Sequence, residues 1–340
     1  MTVARFMDLC LHDAEAGYYA TRPDLGETGD FITAPLVSQI FGEILGAWVA
    51  QTWVGLGCPA RFRLIELGPG LGVMLSDALR AARLAPGLMD ACEVWFVETS
   101  EPLRRRQAQT LQGRAAPRWI DSLEAVPTDR PVIILANEFL DCLPILQATL
   151  TVGGWRERRV GISADGGLAF VGGEPVAERA DWTGASSGAV AEWSPALADF
   201  GRTVGRLVGV ASGAALFIDY GRAEPGLGDT LQALRGHRKE SPLDRPGEAD
   251  LTAHVDFPAF LRAAAGAGVS ATAIRRQGAF LSELGALPRA AALARSRPDR
   301  AGLIFRQLDR LVSPEQMGDL FKVAAIHTPG LTPPGFEVAA

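Results

Sequence analysis

The sequence is poor in cysteine and has no long hydrophobic run. Its four cysteines, Cys10, Cys58, Cys92 and Cys142, are scattered and form no Cys-x-x-Cys pair. This spacing argues against a structural zinc site and a disulfide framework, so no metal is expected, and it fits a reducing compartment. No apolar run reaches the roughly 18 residues of a membrane span, so no transmembrane segment is expected.

The chain also lacks an excess of basic residues and an export signal. The formal net charge of −6 argues against a broad nucleic-acid surface, so no nucleic-acid partner is expected. Residues 1–19 carry acidic side chains and lack the apolar core of a signal peptide, which makes the cytoplasm the expected location. A length of 340 residues with 48% hydrophobic residues suits one large globular domain or two smaller ones.

One stretch, residues 61–84, reads RFRLIELGPGLGVMLSDALRAARL and has the pattern of a strand, a glycine-rich turn and a helix. Glu66 stands just before the turn. The glycines follow at every second position, at Gly68, Gly70 and Gly72. Glycines let the backbone turn tightly and let a ligand come close, and the helix start offers free N–H groups. The stretch therefore predicts a ligand-binding turn.

The spacing of the glycines discriminates between ligands. A dinucleotide fingerprint, G-x-G-x-x-G, would place its third glycine at position 73, which is Val73. No G-K-[ST] follows, so a P-loop is excluded. The pattern E-x-G-x-G-x-G instead resembles the first motif of class I S-adenosylmethionine (SAM)-dependent methyltransferases. A glycine-rich turn without a ligand remains the alternative.

A carboxylate follows the next predicted strand. CEVWFVETS, residues 92–100, reads as this strand and contains Glu98, about 30 residues after Gly68. In doubly wound folds an acid at this point binds the hydroxyl pair of a ribose, and SAM carries a ribose. A solvated acid at the strand end is the alternative.

Two further buried strands lead into polar residues. PVIILANEFLDCLP, residues 131–144, contains a continuous apolar run that leads into Asn137, Glu138 and Asp141. GAALFIDYG, residues 213–221, leads into Asp219. Because ligands sit beyond the carboxyl ends of parallel strands, these residues form a candidate reaction site. A helix cap with surface acids is the alternative.

Other segments yield expectations about the surroundings of this site. GDFIT, with Asp30 and Thr33, could close over a ligand, and Thr33 or Ser38 could cap the helix that follows. Residues 145–163 predict a β-hairpin with Gly153-Gly154 as its turn. Residues 222–256 read as a long irregular loop in which His254 is a possible proton acceptor, although a structural histidine is the commoner case.

These patterns together predict an α/β fold with a mostly parallel, Rossmann-like sheet, helices on both faces and a final antiparallel strand. We expect a helical lid at residues 1–54 and a core at 55–225 with a hairpin insertion near 145–175. After the core we expect an inserted substrate-side region at 226–300, and then a last helix and strand at 301–327. The tail, 328–340, is expected to be extended or disordered.

Several motifs together resemble the MidA family of class I SAM-dependent methyltransferases. They are GYY, GDFITAP, SQIFGE, ELGPG.G, ANEF.D.LP, IDYG, PG.ADLTAHVDF, QG.FL and MG.LFKV, and they span nearly the whole chain. Mitochondrial members of this family act in assembly of respiratory complex I by dimethylating an arginine of one subunit. The resemblance implies SAM as cofactor and a protein substrate, such as a complex I subunit; a homodimer is left open.

Under this resemblance each candidate residue receives a role. Glu66 and the three glycines would shape the methionine side of SAM, with Asn137, Asp30 and Thr33 also near the cofactor, and Glu98 would hold its ribose. Glu138 and Asp141 would engage the substrate arginine, with Asp219 beside them. The family loop commonly reads ELGPGRGTL, so Leu71 and Val73 are departures, whereas both acids of the common EFFDALP are present in EFLDCLP.

Two functions from other classes remain open. The chain could be a non-catalytic assembly factor that binds SAM as a structural or regulatory ligand. It could also be an NAD(P)-dependent oxidoreductase on a similar fold, although Val73 counts against that.

Overall fold

The computed structural model describes residues 1–21, 33–236 and 238–336. The chain forms two compact units. The core unit consists of Ile32–Phe139, Gly201–Tyr220 and Leu261–Ala340, and the accessory unit consists of Met1–Phe31, Leu140–Phe200 and Gly221–Phe260. Each unit joins stretches that are far apart in sequence.

The described chain contains twelve α-helices and sixteen strands. The helices are α1 Val3–His12, α2 Tyr18–Thr21, α3 Ala34–Val37, α4 Gln39–Gly55, α5 Val73–Ala82, α6 Leu88–Ala91, α7 Glu101–Thr110, α8 Pro195–Ala211, α9 Phe257–Ala265, α10 Gln277–Glu283, α11 Ala286–Ser296 and α12 Ala301–Val312. The strands are β1 Phe62–Leu67, β2 Cys92–Val97, β3 Arg118–Ile120, β4 Val132–Asn137, β5 Leu146–Thr151, β6 Gly154–Ile162, β7 Leu168–Pro175, β8 Val190–Trp193, β9 Gly213–Arg222, β10 Gln232–Arg235, β11 Arg238–Glu240, β12 Asp250–Thr252, β13 Val255–Asp256, β14 Ser270–Ala271, β15 Arg275–Arg276 and β16 Phe321–His327.

The core unit is built on a mostly parallel sheet with the strand order β14-β16-β9-β4-β1-β2-β3. Strands β1 to β4 and β9 run parallel, whereas β16 lies antiparallel beside β9, with Val323 opposite Ile218. β1 and β4 are buried along their whole length, which fits the continuous apolar run of β4, whereas β1 carries the buried charged residues Arg63 and Glu66 among its apolar ones. The predicted fold class, including the final antiparallel strand, is confirmed.

The two helices directly before β1, α3 and α4, begin after Thr33 and Ser38, the residues that the sequence predicts as caps. Thr33 stands at the N-cap of the short helix α3, which has Pro35 in its first turn. The side chain of Ser38 accepts a hydrogen bond from the N–H of Ile40 at the start of α4. Ser38 therefore caps the long helix, and α4 buries an apolar face that includes Trp48 in the core of this unit.

The accessory unit contains two antiparallel sheets, β7-β6-β5-β8 and β11-β10-β12. The hairpin predicted at 145–163 is formed by β5 and β6, but Thr151 pairs with Gly154, so its turn is Val152-Gly153, one residue earlier than expected. Residues 222–256 are not irregular: they carry β10 to β12, and β13 pairs in parallel with the end of β9. That prediction was wrong because strands of two to four residues show too little alternation to be recognised.

Residues 328–336 of the tail, for which the sequence predicts an extended or disordered state, contain no helix or strand and pack on the core unit. The indole Nε1 of buried Trp48 donates a hydrogen bond to the carbonyl oxygen of Pro334 at 3.2 Å. The rings of Phe336 and Phe280 lie 5.3 Å apart. Residues 331–336 are therefore packed on the core unit, and 337–340 lie outside the described residues.

Within the described part of the chain, the helices are too short or too polar to cross a membrane.

Candidate active site

The glycine-rich turn connects β1 to α5 at the carboxyl edge of the sheet. Gly68, Gly70 and Gly72 all have positive φ, between 52° and 75°. A Cβ atom on Gly68 would lie 2.9 Å from Cδ2 of Phe139, and one on Gly72 would lie 3.1 Å from Cδ1 of Leu111. Both the backbone conformation and the close neighbours therefore require glycine at this turn.

Glu66 lies under this turn, on β1. Glu66 is 2% exposed. Burial raises the pKa of its carboxyl well above the ordinary value, and a hydrogen bond donated by the backbone N–H of Leu75 lowers it in part. Leu75 belongs to the first turn of α5, whose N-cap, Gly72, has no side chain to offer. Glu66 therefore supplies the acceptor that a capping side chain would normally supply. Its Oε2 atom has no hydrogen-bond partner among the described residues.

Glu98 follows β2 and is held on both sides. Its backbone N–H donates to the carbonyl oxygen of Ile120, which follows the parallel register of β2 and β3. Its Oε1 accepts a hydrogen bond of 2.8 Å from the N–H of Ser100, and its Oε2 accepts one of 3.0 Å from Nε2 of Gln107. Burial raises the pKa of the Glu98 carboxyl, while these hydrogen bonds lower it. The carboxylate is thus fixed beside the glycine-rich turn.

Sequence reasoning missed Gln107. It lies on α7 and its Nε2 also donates to the carbonyl oxygen of Gly70 at 2.9 Å, so one amide joins the turn to Glu98. The signal was its spacing, since Gln107 stands four residues after Leu103 and four before Leu111, on the buried face of an otherwise polar helix.

Asn137 and Glu138 lie where β4 ends. Glu138 has a φ of +52°, which is a strained conformation for a residue with a side chain. Its Oε1 accepts hydrogen bonds from Nδ2 of Asn137 at 2.8 Å and from the N–H of Ala34 at 3.2 Å. The Oδ1 atom of Asn137 is buried without a partner among the residues that are described. Strained residues that are held by several contacts are found preferentially at functional sites.

Asp219 supports the same turn from β9. It is 1% exposed, and its Oδ2 accepts a hydrogen bond of 3.0 Å from the N–H of Phe139 while its Oδ1 accepts one from the N–H of Tyr220. The N–H of Glu138 donates to the carbonyl oxygen of Ile218 on the same strand. β9 therefore holds the backbone on either side of the Glu138 carboxylate, and the structure brings Glu138, Asn137 and Asp219 together in the core unit.

The remaining candidates are placed differently. Asp141 belongs to the accessory unit, is buried, and accepts a hydrogen bond from the N–H of Ala253 through its backbone carbonyl. The N–H of His254 donates to Oγ1 of Thr230 in that unit. Thr33 begins α3 next to Ala34, the residue that contacts Glu138. Asp30 and most of the GDFIT segment lie outside the described residues.

Comparison with known proteins identifies the family. The model of a family of S-adenosyl-L-methionine-dependent methyltransferases matches residues 44–274. Protein arginine methyltransferase NDUFAF7, mitochondrial, from Danio rerio is 34% identical over 359 residues, which cover 96% of this chain and 83% of that protein. The chain belongs to the MidA family of SAM-dependent methyltransferases.

Other MidA relatives agree with this assignment. The Homo sapiens protein of the same name is 32% identical, over 96% of this chain and 80% of its own length. A protein from Burkholderia thailandensis, solved with bound S-adenosyl-homocysteine, is 31% identical and superimposes with a TM-score of 0.85, covering 100% of this chain and 89% of that one. The predicted family, cofactor and methyltransferase class are thereby confirmed.

The residues present fit the cofactor of the MidA family. Two buried oxygen atoms, Oε2 of Glu66 and Oδ1 of Asn137, have no described partner and are available to donors of a ligand. The positive φ of Gly68, Gly70 and Gly72 lets the backbone turn tightly after β1, at the edge of the sheet where ligands of such folds bind. The Glu98 carboxylate matches a hydroxyl pair.

Proposed function

We propose that this chain transfers a methyl group from SAM to an arginine side chain of a protein substrate. The relatives that cover almost the whole chain carry the name protein arginine methyltransferase, which supports an arginine as acceptor. The site supports the same chemistry, since its acids are of the kind that a guanidinium requires.

The observation that carries the proposal is the conformation of Glu138. A guanidinium keeps its positive charge at neutral pH, so an enzyme that methylates it needs a carboxylate held in a fixed direction. Glu138 adopts a strained backbone, at a cost of about 1–2 kcal/mol, and its side chain is oriented by Asn137 and Ala34. Strain that is held by several contacts supports a functional role for Glu138 over that of a helix cap or a surface acid.

The roles of the residues follow from these contacts. The cofactor supplies an electrophilic methyl group. Glu138 binds the guanidinium, orients one nitrogen and takes up, at a carboxylate oxygen, the proton that methylation releases. Asp219 positions Glu138 through the N–H of Phe139. Asp141 is proposed as a second acid that engages the substrate.

The same proposal assigns the cofactor. Glu66 and the glycine-rich turn would hold the methionine part, Glu98 the ribose, and Asn137 would offer Oδ1 to a donor. Thr33 and Asp30 would belong to a segment that closes the site.

For the substrate, the MidA resemblance makes a subunit of respiratory complex I the first protein to test. A cytoplasmic location and a homodimer stay predictions. The relatives are named mitochondrial proteins, and we propose the cytoplasm only for this chain.

The test combines binding with activity. The full chain is incubated with methyl-labelled SAM and the candidate subunit, and arginine methylation is located by mass spectrometry. Glu138→Gln keeps the shape of the side chain but removes its charge, so calorimetry should give an affinity for S-adenosyl-homocysteine within about threefold of wild type, while methylation falls by about 10²-fold or more. Glu178→Gln, at an exposed position, is the control and should retain activity.

Two results would contradict the proposal. Full activity in Glu138→Gln would remove the catalytic role of this residue. Tight binding of S-adenosyl-homocysteine by the wild-type chain without methylation of any subunit would instead favour a non-catalytic assembly factor that binds SAM.

A further inference from the structure

Gln107 is a fully buried polar residue, at 0% exposure. Its neighbours on the same face of α7, Leu103 and Leu111, are apolar. Burying an amide among such neighbours is unfavourable unless each of its polar atoms is hydrogen-bonded. The bonding of Gln107 therefore indicates why a polar side chain stands here.

The side-chain amide of Gln107 makes three hydrogen bonds, which fix its orientation. Nε1 of Trp119 donates to Oε1 of Gln107 at 2.8 Å. Nε2 of Gln107 donates to the carbonyl oxygen of Gly70 at 2.9 Å and to Oε2 of Glu98 at 3.0 Å. An indole N–H can only donate, so Trp119 requires the oxygen of the amide to face it. The NH₂ group must then face the turn and the carboxylate, which can only accept.

This arrangement determines the plane of the Glu98 carboxylate. Oε2 is held by Gln107 and Oε1 by the N–H of Ser100. Each carboxylate oxygen can accept a second hydrogen bond, so a pair of hydroxyl groups can still bind. A carboxylate that is already oriented loses little entropy when such a pair arrives.

We propose that Trp119 and Gln107 are positioning residues, which orient Glu98 toward the 2′- and 3′-hydroxyls of the cofactor ribose and hold the carbonyl of Gly70 in the same arrangement. The proposal rests on the ribose role of Glu98 in the proposed function. Under this proposal, ribose recognition depends on Trp119 of β3, which acts on Glu98 through Gln107.

The first test measures selectivity for the ribose. Calorimetry on the full chain compares S-adenosyl-homocysteine with its 2′-deoxy analogue, and the wild type should prefer the former by roughly tenfold or more, as expected for a hydrogen bond to a charged acceptor. Trp119→Phe and Gln107→Leu should reduce this preference to about threefold or less. Trp53→Phe is the matched control, because it also removes an indole hydrogen bond of this unit, to the carbonyl of Pro59, and it should keep the wild-type preference.

The second test is a pH profile, which a merely structural role would not move. Burial raises the pKa of Glu98, and the bond from Gln107 opposes this effect. Gln107→Leu should therefore move the pH at which affinity for S-adenosyl-homocysteine is lost on acidification to a higher value. Among the described residues, Arg104 also lowers the pKa of Glu98; it donates to the carbonyl oxygen of Glu98 and is paired with Glu101 and Asp121. These partners are unchanged in the variant.

Several outcomes would overturn the inference. An unchanged ribose preference in Trp119→Phe and Gln107→Leu would do so, as would an equal loss of affinity for both ligands together with an unmoved pH profile. If Glu98→Ala keeps the wild-type ribose preference, the ribose role and the positioning role both fail. Absence of arginine methylation would refute the proposed acceptor while these binding results would still stand.

Discussion

Replacing Gly68 by alanine tests the close packing of the glycine-rich turn against Phe139, which directly follows Glu138. Gly68 has a φ of +56°, and an added Cβ would lie 2.9 Å from Cδ2 of Phe139. The left-handed conformation costs an alanine about 1–2 kcal/mol. Forcing the Phe139 ring aside adds about 1–3 kcal/mol, as in other overpacked cores. We therefore expect a total loss of stability of about 2–5 kcal/mol.

Gly57→Ala separates these two contributions. Gly57 also belongs to the core unit and has a φ of +83°, but a Cβ there would have nothing within 4 Å. Its substitution should cost only the conformational strain, about 1–2 kcal/mol. The difference between the two variants therefore measures the contact with Phe139.

The assay is urea denaturation followed by tryptophan fluorescence, with calorimetry of S-adenosyl-homocysteine binding. Gly68→Ala should weaken binding by about tenfold or more, since moving Phe139 disturbs both the turn and Glu138, whereas Gly57→Ala should bind normally. Adding Phe139→Leu to Gly68→Ala should recover part of the lost stability. Equal destabilisation of the two alanine variants, with equal affinities, would show that the close approach of Gly68 to Phe139 does not exist.

Two further predictions concern Glu66 and the chain end. Because burial raises the pKa of Glu66, folding takes up a proton, and the wild-type chain should lose stability as the pH rises from about 4.5 through the raised value. Glu66→Gln should remove that loss, about 1.4 kcal/mol for each unit of the shift, and parallel melting profiles for both chains across this range would contradict it. Truncation after Gly330 removes the acceptor of the buried Trp48 indole and should cost about 2–4 kcal/mol in thermal melts, whereas a disordered tail would cost nothing.

Much of the core could be predicted because its signals are local. The apolar run of β4 and the glycines after β1 can each be recognised from a few consecutive residues. The strand β4 and the turn before α5 both form where the sequence predicts them. The positions of Glu98 and Glu138 followed from one general rule, that parallel strands present their carboxyl ends at the same edge.

The failures have a common cause in long-range contacts. The strands within residues 222–256 are too short to show alternation, and they form because they pair with one another and with β9. The tail packs on Trp48 and Phe280, which are far away in sequence, through an indole hydrogen bond and a ring contact. No local pattern records such pairings.

A glycine-rich turn followed by acids at strand ends can be recognised from the sequence alone, because those features depend on backbone freedom and on strand order. What orients the acids is visible only in the folded chain. Glu138 is strained and held from β9, and Glu98 is aligned by an amide whose direction is set by Trp119. A hydrogen bond depends on distance and direction between atoms, and residues far apart in sequence acquire these only when the chain has folded.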